Sequence, residues 1–261
     1  MSKQLRGYGV GGSLDHDVVR AIVPEIVALG YSSFWANDVP GGEGLASLAA
    51  AAELSGDLRL GVGVIPVDRQ PAEEIIDRVE ALGLPVDRLI VGIGSGATKQ
   101  GSLELVRGAI HTLHKRGIRT VVGALGPKMV ALSGSDADGA LFNWLTPHTA
   151  SRSADVMRAA SNGRRVEAIA YVRVAYGDAS VARLESESLR YESYPQYAAH
   201  FDRMGVRAIE TCVAGPTSAA IQAGLMAFDE EVDETVVRAI TAEDTVGAYL
   251  ELARAAAPGQ H

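Results

Sequence analysis

Apolar positions along the chain switch repeatedly between two periods. Short β-branched or aliphatic runs end in glycine or polar residues, and behind most of them comes a segment with apolar positions at helical spacing. The first run covers residues 5–10 and ends in Gly11 and Gly12. Residues 15–29 then put Val18, Val19, Ile22, Val23, Ile26 and Val27 on one helical face, with Pro24 an awkward interior residue and Gly30 a closing one. Runs at 31–36, 58–65 and 88–93 read as further strands, and 44–54, 73–82 and 103–114 as the helices behind them. Val121 and Val122 mark a fifth strand, followed by a turn at 123–126. Pro127 suits the first turn of a helix that carries Met129, Val130 and Leu132 on one side and stops near Gly134. A sixth strand at 139–142 leads to Asn143 and Trp144. Runs at 166–174 and 206–213 read as strands seven and eight, with a helix at 194–204 between them. A last helix follows 241–244, whose Thr-Ala-Glu-Asp resembles a capping box. Residues 177–192 and 214–240 are expected to be irregular loops over one face.

Eight strand-then-helix units imply parallel strands, and eight such units close naturally into a (β/α)8 TIM barrel. A doubly wound open sheet is the alternative, and the count of eight units favours the barrel. No linker-like or low-complexity stretch divides residues 1–261, so one domain is expected, and α/β barrels of this length are routinely single. The link from the fourth helix to the fifth strand is very short, with Lys115, Arg116 and Gly117 running almost straight into Ile118.

Composition narrows the partners. A net charge of −8 with 5% aromatic residues argues against nucleic acid, for which a basic face would be expected. No apolar stretch is long enough to span a bilayer, and the first residues, MSKQLRGYGVGG, carry no signal-peptide run. The single cysteine, Cys212, permits no internal disulfide and fits a reducing, cytoplasmic setting. A small-molecule substrate is the expected partner, with a homodimer formed through the small-residue helix at 46–52 unless that helix packs only on its own barrel.

In a barrel the chemistry sits at the C-terminal ends of the strands. The residues falling there are Asn37 and Asp38, Gly63 and Val64 with Pro66, Ser95 and Gly96, then Ala124, Leu125, Gly126, Pro127, Lys128 and Met129. Asn143, Trp144 and Arg173 complete the set. The turn at 123–126 exposes backbone N–H groups at a helix start, and Lys128 adds a cation, so it is a candidate seat for a phosphate or carboxylate; a turn whose glycines only permit close packing is the alternative. Asp38 reads equally as a helix N-cap. Arg173 alternates with Val172 and Val174 and should face inward, either toward a ligand anion or into an ion pair with Asp38 or Glu210. Of the six histidines only His148 falls near a strand end; His111 and His114 lie on a helix expected to coat the outside. No HExxH or metal-ligand spacing occurs, so no metal site is expected. Glycine turns with few strong acids or bases suit a large cofactor that does its own chemistry.

The segments FWAND, RLGVGVIP, LIVGIGSG and ALGPKM with DADGALFNWLTP resemble the bacterial luciferase-like flavin and deazaflavin oxidoreductases, and within them the branch that uses coenzyme F420. The resemblance spans most of residues 5–175. It implies a barrel with the cofactor ring at the C-terminal mouth, backed by a strand-three bulge with a cis peptide at Gly63 and Val64, and with the phosphate side at Ser95, Gly96 and 124–129. It implies hydride transfer between the deazaflavin and a small organic substrate, with FMN-dependent monooxygenation or a non-catalytic cofactor-binding barrel as alternatives. Candidate acid–base residues are Asp38, Asn143 and His148, with Tyr8 a further proton donor. Three departures stand out: Val39 where some members carry histidine, Ala97 where a glutamate is frequent, and a shortened insertion between the fourth helix and the fifth strand, which is long in most members. A phosphosugar-isomerase-like barrel fits the anion turn but lacks a lysine or glutamate at a strand end.

Overall fold

The structure, a computed structural model, describes residues 5–38 and 43–259. Val39, read above as a departure beside Asp38, lies outside the described residues, as does His261. The strands are β1 (Leu5–Gly11), β2 (Ser33–Asn37), β3 (Arg59–Pro66), β4 (Leu89–Gly94) and β5 (Arg119–Gly123), then β6 (Gly139–Asn143), β7 (Glu167–Tyr176), β8 (Val213–Gly215) and β9 (Glu234–Ile240). All pairings are parallel. β1 to β7 follow one another around the ring, and β9 joins β7 back to β1, which closes an eight-stranded barrel.

The closing strand corrects the sequence reading. Residues 206–213 hold a 3-10 turn, Ala208–Thr211, and only the first residue of the short β8, which pairs with the tail of β7 alone. The eighth barrel strand is β9, inside the stretch expected to be a loop. Its alternation was masked by Glu234 and Arg238, charged residues that point into the barrel rather than out of it. The other expected loop, 177–192, is helix α7 (Asp178–Glu192), whose apolar face is thin: only Ser180, Leu184 and Ser188 are buried.

The remaining helices are α1 (His16–Ala28), α2 (Gly44–Ala52), α3 (Ala72–Ala81), α4 (Ser102–His114), α5 (Pro127–Ser135), α6 (Pro147–Ala160), α8 (Pro195–Met204), α9 (Ser218–Asp229) and α10 (Val246–Ala255). Helix α1 runs through Pro24 without a break in its assignment. The last helix is capped by Thr245, which accepts from Ala248 N–H, four residues after Thr241, where the predicted box begins. Helix α2 buries Leu45, Leu48, Ala50 and Ala51 within its own chain. Its close approach is set by Gly44, where a Cβ would stand 2.9 Å from a Val62 methyl.

Two cores result. The larger fills the layer between barrel and helices. The smaller fills the barrel interior with Trp35, Ile90, Val121, Leu141, Ile169, Tyr171 and Val236, beside Val64. β1 and β3 contribute glycine to that interior for a steric reason. A Cβ on Gly61 would sit 2.2 Å from the Trp35 ring, and one on Gly9 would sit 2.9 Å from the Tyr171 hydroxyl. Two large rings thus occupy space that two strands leave empty.

The bottom of the barrel is an ion network. Arg59 reaches Glu234 at 2.6 Å and Glu167 at 3.1 Å, and Arg119 reaches Glu167 at 2.8 Å. Trp35 Nε1 donates to Ser33 Oγ at 2.9 Å, and Ser33 donates to Glu234. Burial pushes the Glu234 carboxyl above its ordinary range despite Arg59. For Glu167 burial pulls the same way, but Arg59 and Arg119 together hold the carboxyl below it.

Candidate functional site

The C-terminal mouth opens into a cleft of about 500 Å³, within the range of small-molecule and cofactor sites. Of the residues predicted from sequence, Asp38, Gly63, Val64, Ser95, Gly96, Ala124, Leu125, Asn143 and Arg173 line it. Val64 stands on its wall. The Gly63–Val64 peptide is cis, and the register of β3 against β4 shifts between Val62 and Ile65. Val64 therefore turns into the mouth, and three glycines leave it room. A Cβ on Gly123 would lie 2.9 Å from Val64 Cγ1, with Gly92 and Gly94 each 3.3 Å from a Val64 methyl.

Asp38 accepts from Gly44 N–H at the start of α2, so it lines the cleft and braces the helix at once. Burial raises its pKa above the usual value, offset in part by that bond and by Arg69 across the mouth. The turn after β4 is closed differently from expectation. Asp68 Oδ2 accepts from Ala97 N–H at 2.8 Å, and a Cβ on Gly96 would collide with the same carboxylate at 1.8 Å. An anion seated there would meet Asp68, so the Ser95 and Gly96 turn offers the wall of a cleft and no free phosphate cradle.

Residues 124–129 divide. Leu125 is shared between the cleft and an adjoining groove of about 280 Å³, into which Gly126 and Pro127 face. Arg152 and Arg203 line that groove, and Arg203 donates to Leu125 O at 3.1 Å. Lys128 and Met129 line neither space.

Arg173 is 5% exposed, and its predicted partners are replaced. Neither Asp38 nor Glu210 pairs with it; Nε donates to Glu187 at 2.6 Å and one terminal nitrogen to Asn143 Oδ1 at 2.7 Å. Glu187 lies on α7, the helix that periodicity missed. Trp144 does not face the cleft. It is 2% exposed with a left-handed backbone (φ 57°), and its ring lies 3.6 Å beneath the Arg173 guanidinium. That stack is a cation–π contact within protein. The Trp144 carbonyl accepts from His200 Nε2 at 2.9 Å, which leaves Nδ1 to accept from Arg203 at 3.3 Å. Burial, with Arg203 adding to it, holds His200 below its ordinary pKa.

His148 is exposed on the first turn of α6 and lines neither space. Tyr8 is fully buried and donates to Tyr249 O at 2.7 Å, away from the cleft. His114 bonds Asp138 at 3.0 Å and His111 stands 3.8 Å from Asp136, both on the outer surface helix as expected. Burial pushes the Cys212 thiol up to about 11.

Sequence reading missed one wall. Tyr191, Tyr194 and Tyr197 stand on the cleft with Tyr191 and Tyr197 rings 4.9 Å apart. Tyr191 lies at the end of α7, Tyr194 caps α8 and Tyr197 stands in its first turn, so the three meet across a helix junction that no single helical period displays. Tyr171 was findable, since strand alternation places it on the same face as Arg173.

The Arg173–Glu187 pair has a pH consequence. Burial alone would raise Glu187, but Arg173 and Arg238 outweigh it and hold the carboxyl below its usual range. A depressed carboxylate stabilises the fold above its unfolded value and loses that contribution as pH falls through the folded one. Wild-type stability is therefore expected to fall more steeply than that of Glu187→Gln below about pH 4.3, the ordinary glutamate value. Urea midpoints across that range check it, and parallel curves would contradict it.

No protein-family model and no curated protein sequence matches the chain. Solved structures do. The coenzyme F420 dependent tetrahydromethanopterin reductase from Methanopyrus kandleri superposes with a TM-score of 0.73 at 14% identity, over 97% of this chain and 98% of that one. An F420-dependent secondary alcohol dehydrogenase, solved with an F420-acetone adduct, gives 0.75 at 12% over 97% and 99%. The oxygenating constituent of 3,6-diketocamphane monooxygenase from Pseudomonas putida, solved with FMN, gives 0.71 at 11% over 97% and 96%. The chain thus has the (β/α)8 TIM-barrel fold that the resemblance implies.

Proposed function

We propose that the protein is an oxidoreductase that binds a flavin-type cofactor, and that this cofactor is coenzyme F420. The observation that carries the reading is Val64. A branched side chain rises from the β3 bulge into an open cleft, and Gly92, Gly94 and Gly123 are kept bare around it. That is a backstop for a flat ring. The residues present fit such a group: Val64 and Leu141 give an apolar base, and Tyr191 and Tyr197 give an aromatic side. The adjoining groove at Gly126 and Pro127, with Arg152 and Arg203, would take its anionic tail. When bound, the ring supplies the hydride chemistry, and the protein supplies orientation and shelter from water. Two of the structural neighbours named above are F420 enzymes, which supports this cofactor.

The FMN-bound monooxygenase component supports a second reading, FMN with oxygen. Reduced F420 mixed with an enone or imine separates the two. The F420 reading expects the oxidised deazaflavin absorbance to return with protein present. No return, together with oxygen uptake in the presence of reduced FMN, would transfer the assignment. Reversing charge in the groove with Arg152→Glu and Arg203→Glu is expected to weaken cofactor binding about tenfold each, the equivalent of one charge-assisted contact. A titration in which both variants bind like wild type would remove the groove from the site.

A further inference from the structure

Ile169, Tyr171 and Arg173 alternate along the inward row of β7, and the last two line the cleft. Both are 5% exposed. Arg173 commits Nε to Glu187 and one terminal nitrogen to Asn143 Oδ1. Its other terminal nitrogen makes no hydrogen bond to any described residue. Arginine donates only, so that position calls for an acceptor. The Asn143 amide is oriented by the same rule: its oxygen faces Arg173, which leaves its NH2 group as a further donor on the cleft. The Tyr171 hydroxyl is buried and also without a partner. An unpartnered buried hydroxyl is costly unless something fills it.

The chain's own acids are occupied. Glu187 is held by Arg173, and Asp38 takes Gly44 N–H. Burial pushes Tyr171 up to about 12, so it keeps its proton and can donate. Stacking on Trp144, 3.6 Å away, holds the guanidinium flat and in place.

We propose that Arg173 and Tyr171, with the Asn143 amide, bind an electron-rich substrate oxygen, and that the substrate class is a planar carboxylate or enolate. A carboxylate or enolate end is itself planar and matches the flat guanidinium of Arg173. The oxidoreductase reading above supplies a use for such an oxygen, and the claim deepens that reading by naming the substrate's polar end.

Benzoate and benzamide have the same shape and differ in the charge of that end. Calorimetric titration of the purified full chain, without cofactor, is expected to show benzoate binding about tenfold tighter. Tyr171→Phe is expected to lower benzoate affinity about tenfold while leaving Tm unchanged or raised, because its hydroxyl has no partner to lose. Asn143→Asp, which puts a carboxylate beside Arg173, is expected to abolish the preference for benzoate. Equal binding of the two ligands, no binding of either, or unaltered binding in Tyr171→Phe would overturn the proposal. Cofactor titration is a separate measurement, so failure of the cofactor reading and failure of the oxygen site give different results.

Discussion

Replacing Arg59 by Met is expected to cost about 3 kcal/mol of folding stability, the range seen when one partner of a buried ion pair is removed. Arg59 is the hub of the network under the barrel, bonded to Glu234 at 2.6 Å and to Glu167 at 3.1 Å. Glu234 is 0% exposed, and its only cationic partner is Arg59 among the described residues. Without it Glu234 is left to Ser33 and Ser32 and must take a proton, to which burial already inclines it. Glu167 keeps Arg119 at 2.8 Å and suffers less. Adding Glu234→Gln to Arg59→Met is therefore expected to restore part of the loss. Urea unfolding at neutral pH reads both. An Arg59→Met protein as stable as wild type would show that the network is solvated rather than buried.

The second large effect is functional. Gly123→Val is expected to reduce affinity for a flavin-type cofactor about 100-fold, close to 2.7 kcal/mol. The added Cβ would stand 2.9 Å from Val64 Cγ1 and 3.2 Å from Cγ2, so Val64 must turn and the base of the cleft is lost. Overpacking of this kind costs about 1–3 kcal/mol of stability as well. Gly108→Ala is the matching control: it lies exposed within α4 with nothing within 4 Å of a new Cβ. It is expected to stabilise by about 0.5–1 kcal/mol through helix propensity and to leave binding alone. Cofactor titration of both variants checks the pair. Undiminished binding by Gly123→Val would mean that the ring does not rest on Val64.

What could be read from sequence follows from how directly each element writes its environment. β1, β3 and β4 interleave glycine with apolar residues, β2, β5 and β6 are short apolar runs, and turns bound them all, so their order and the barrel were legible. β9 was not, because Glu234 and Arg238 sit at inward positions where pattern reasoning expects apolar residues. Both are satisfied by partners on other elements, Arg59 for Glu234 and Asn37 for Arg238, and no local window contains them. Helix α7 was missed for a related reason. Its inner side is small and polar, and Glu187 on it serves Arg173 rather than solvent.

The candidate site divides the same way. Residues at strand ends were legible from topology alone, and Val64 with Asn143 and Arg173 lie where that rule puts them. Roles that depend on neighbours were not. Trp144 falls at a strand end by the topology rule, yet a left-handed backbone turns it under Arg173 and away from the cleft. Gly96 reads as part of a phosphate turn, yet Asp68 already fills it. Gly9 carries no signal of its own in the sequence, yet it leaves room for the Tyr171 ring from across the barrel.

One measurement bears most directly on the central claim that the mouth of the barrel holds a flavin-type ring. The purified chain is titrated separately with F420 and with FMN while the absorbance and fluorescence of the ring are followed. The account predicts saturable micromolar binding of F420 with one site per chain, weakened in Gly123→Val. Binding of neither cofactor, or binding that Gly123→Val leaves intact, would contradict it.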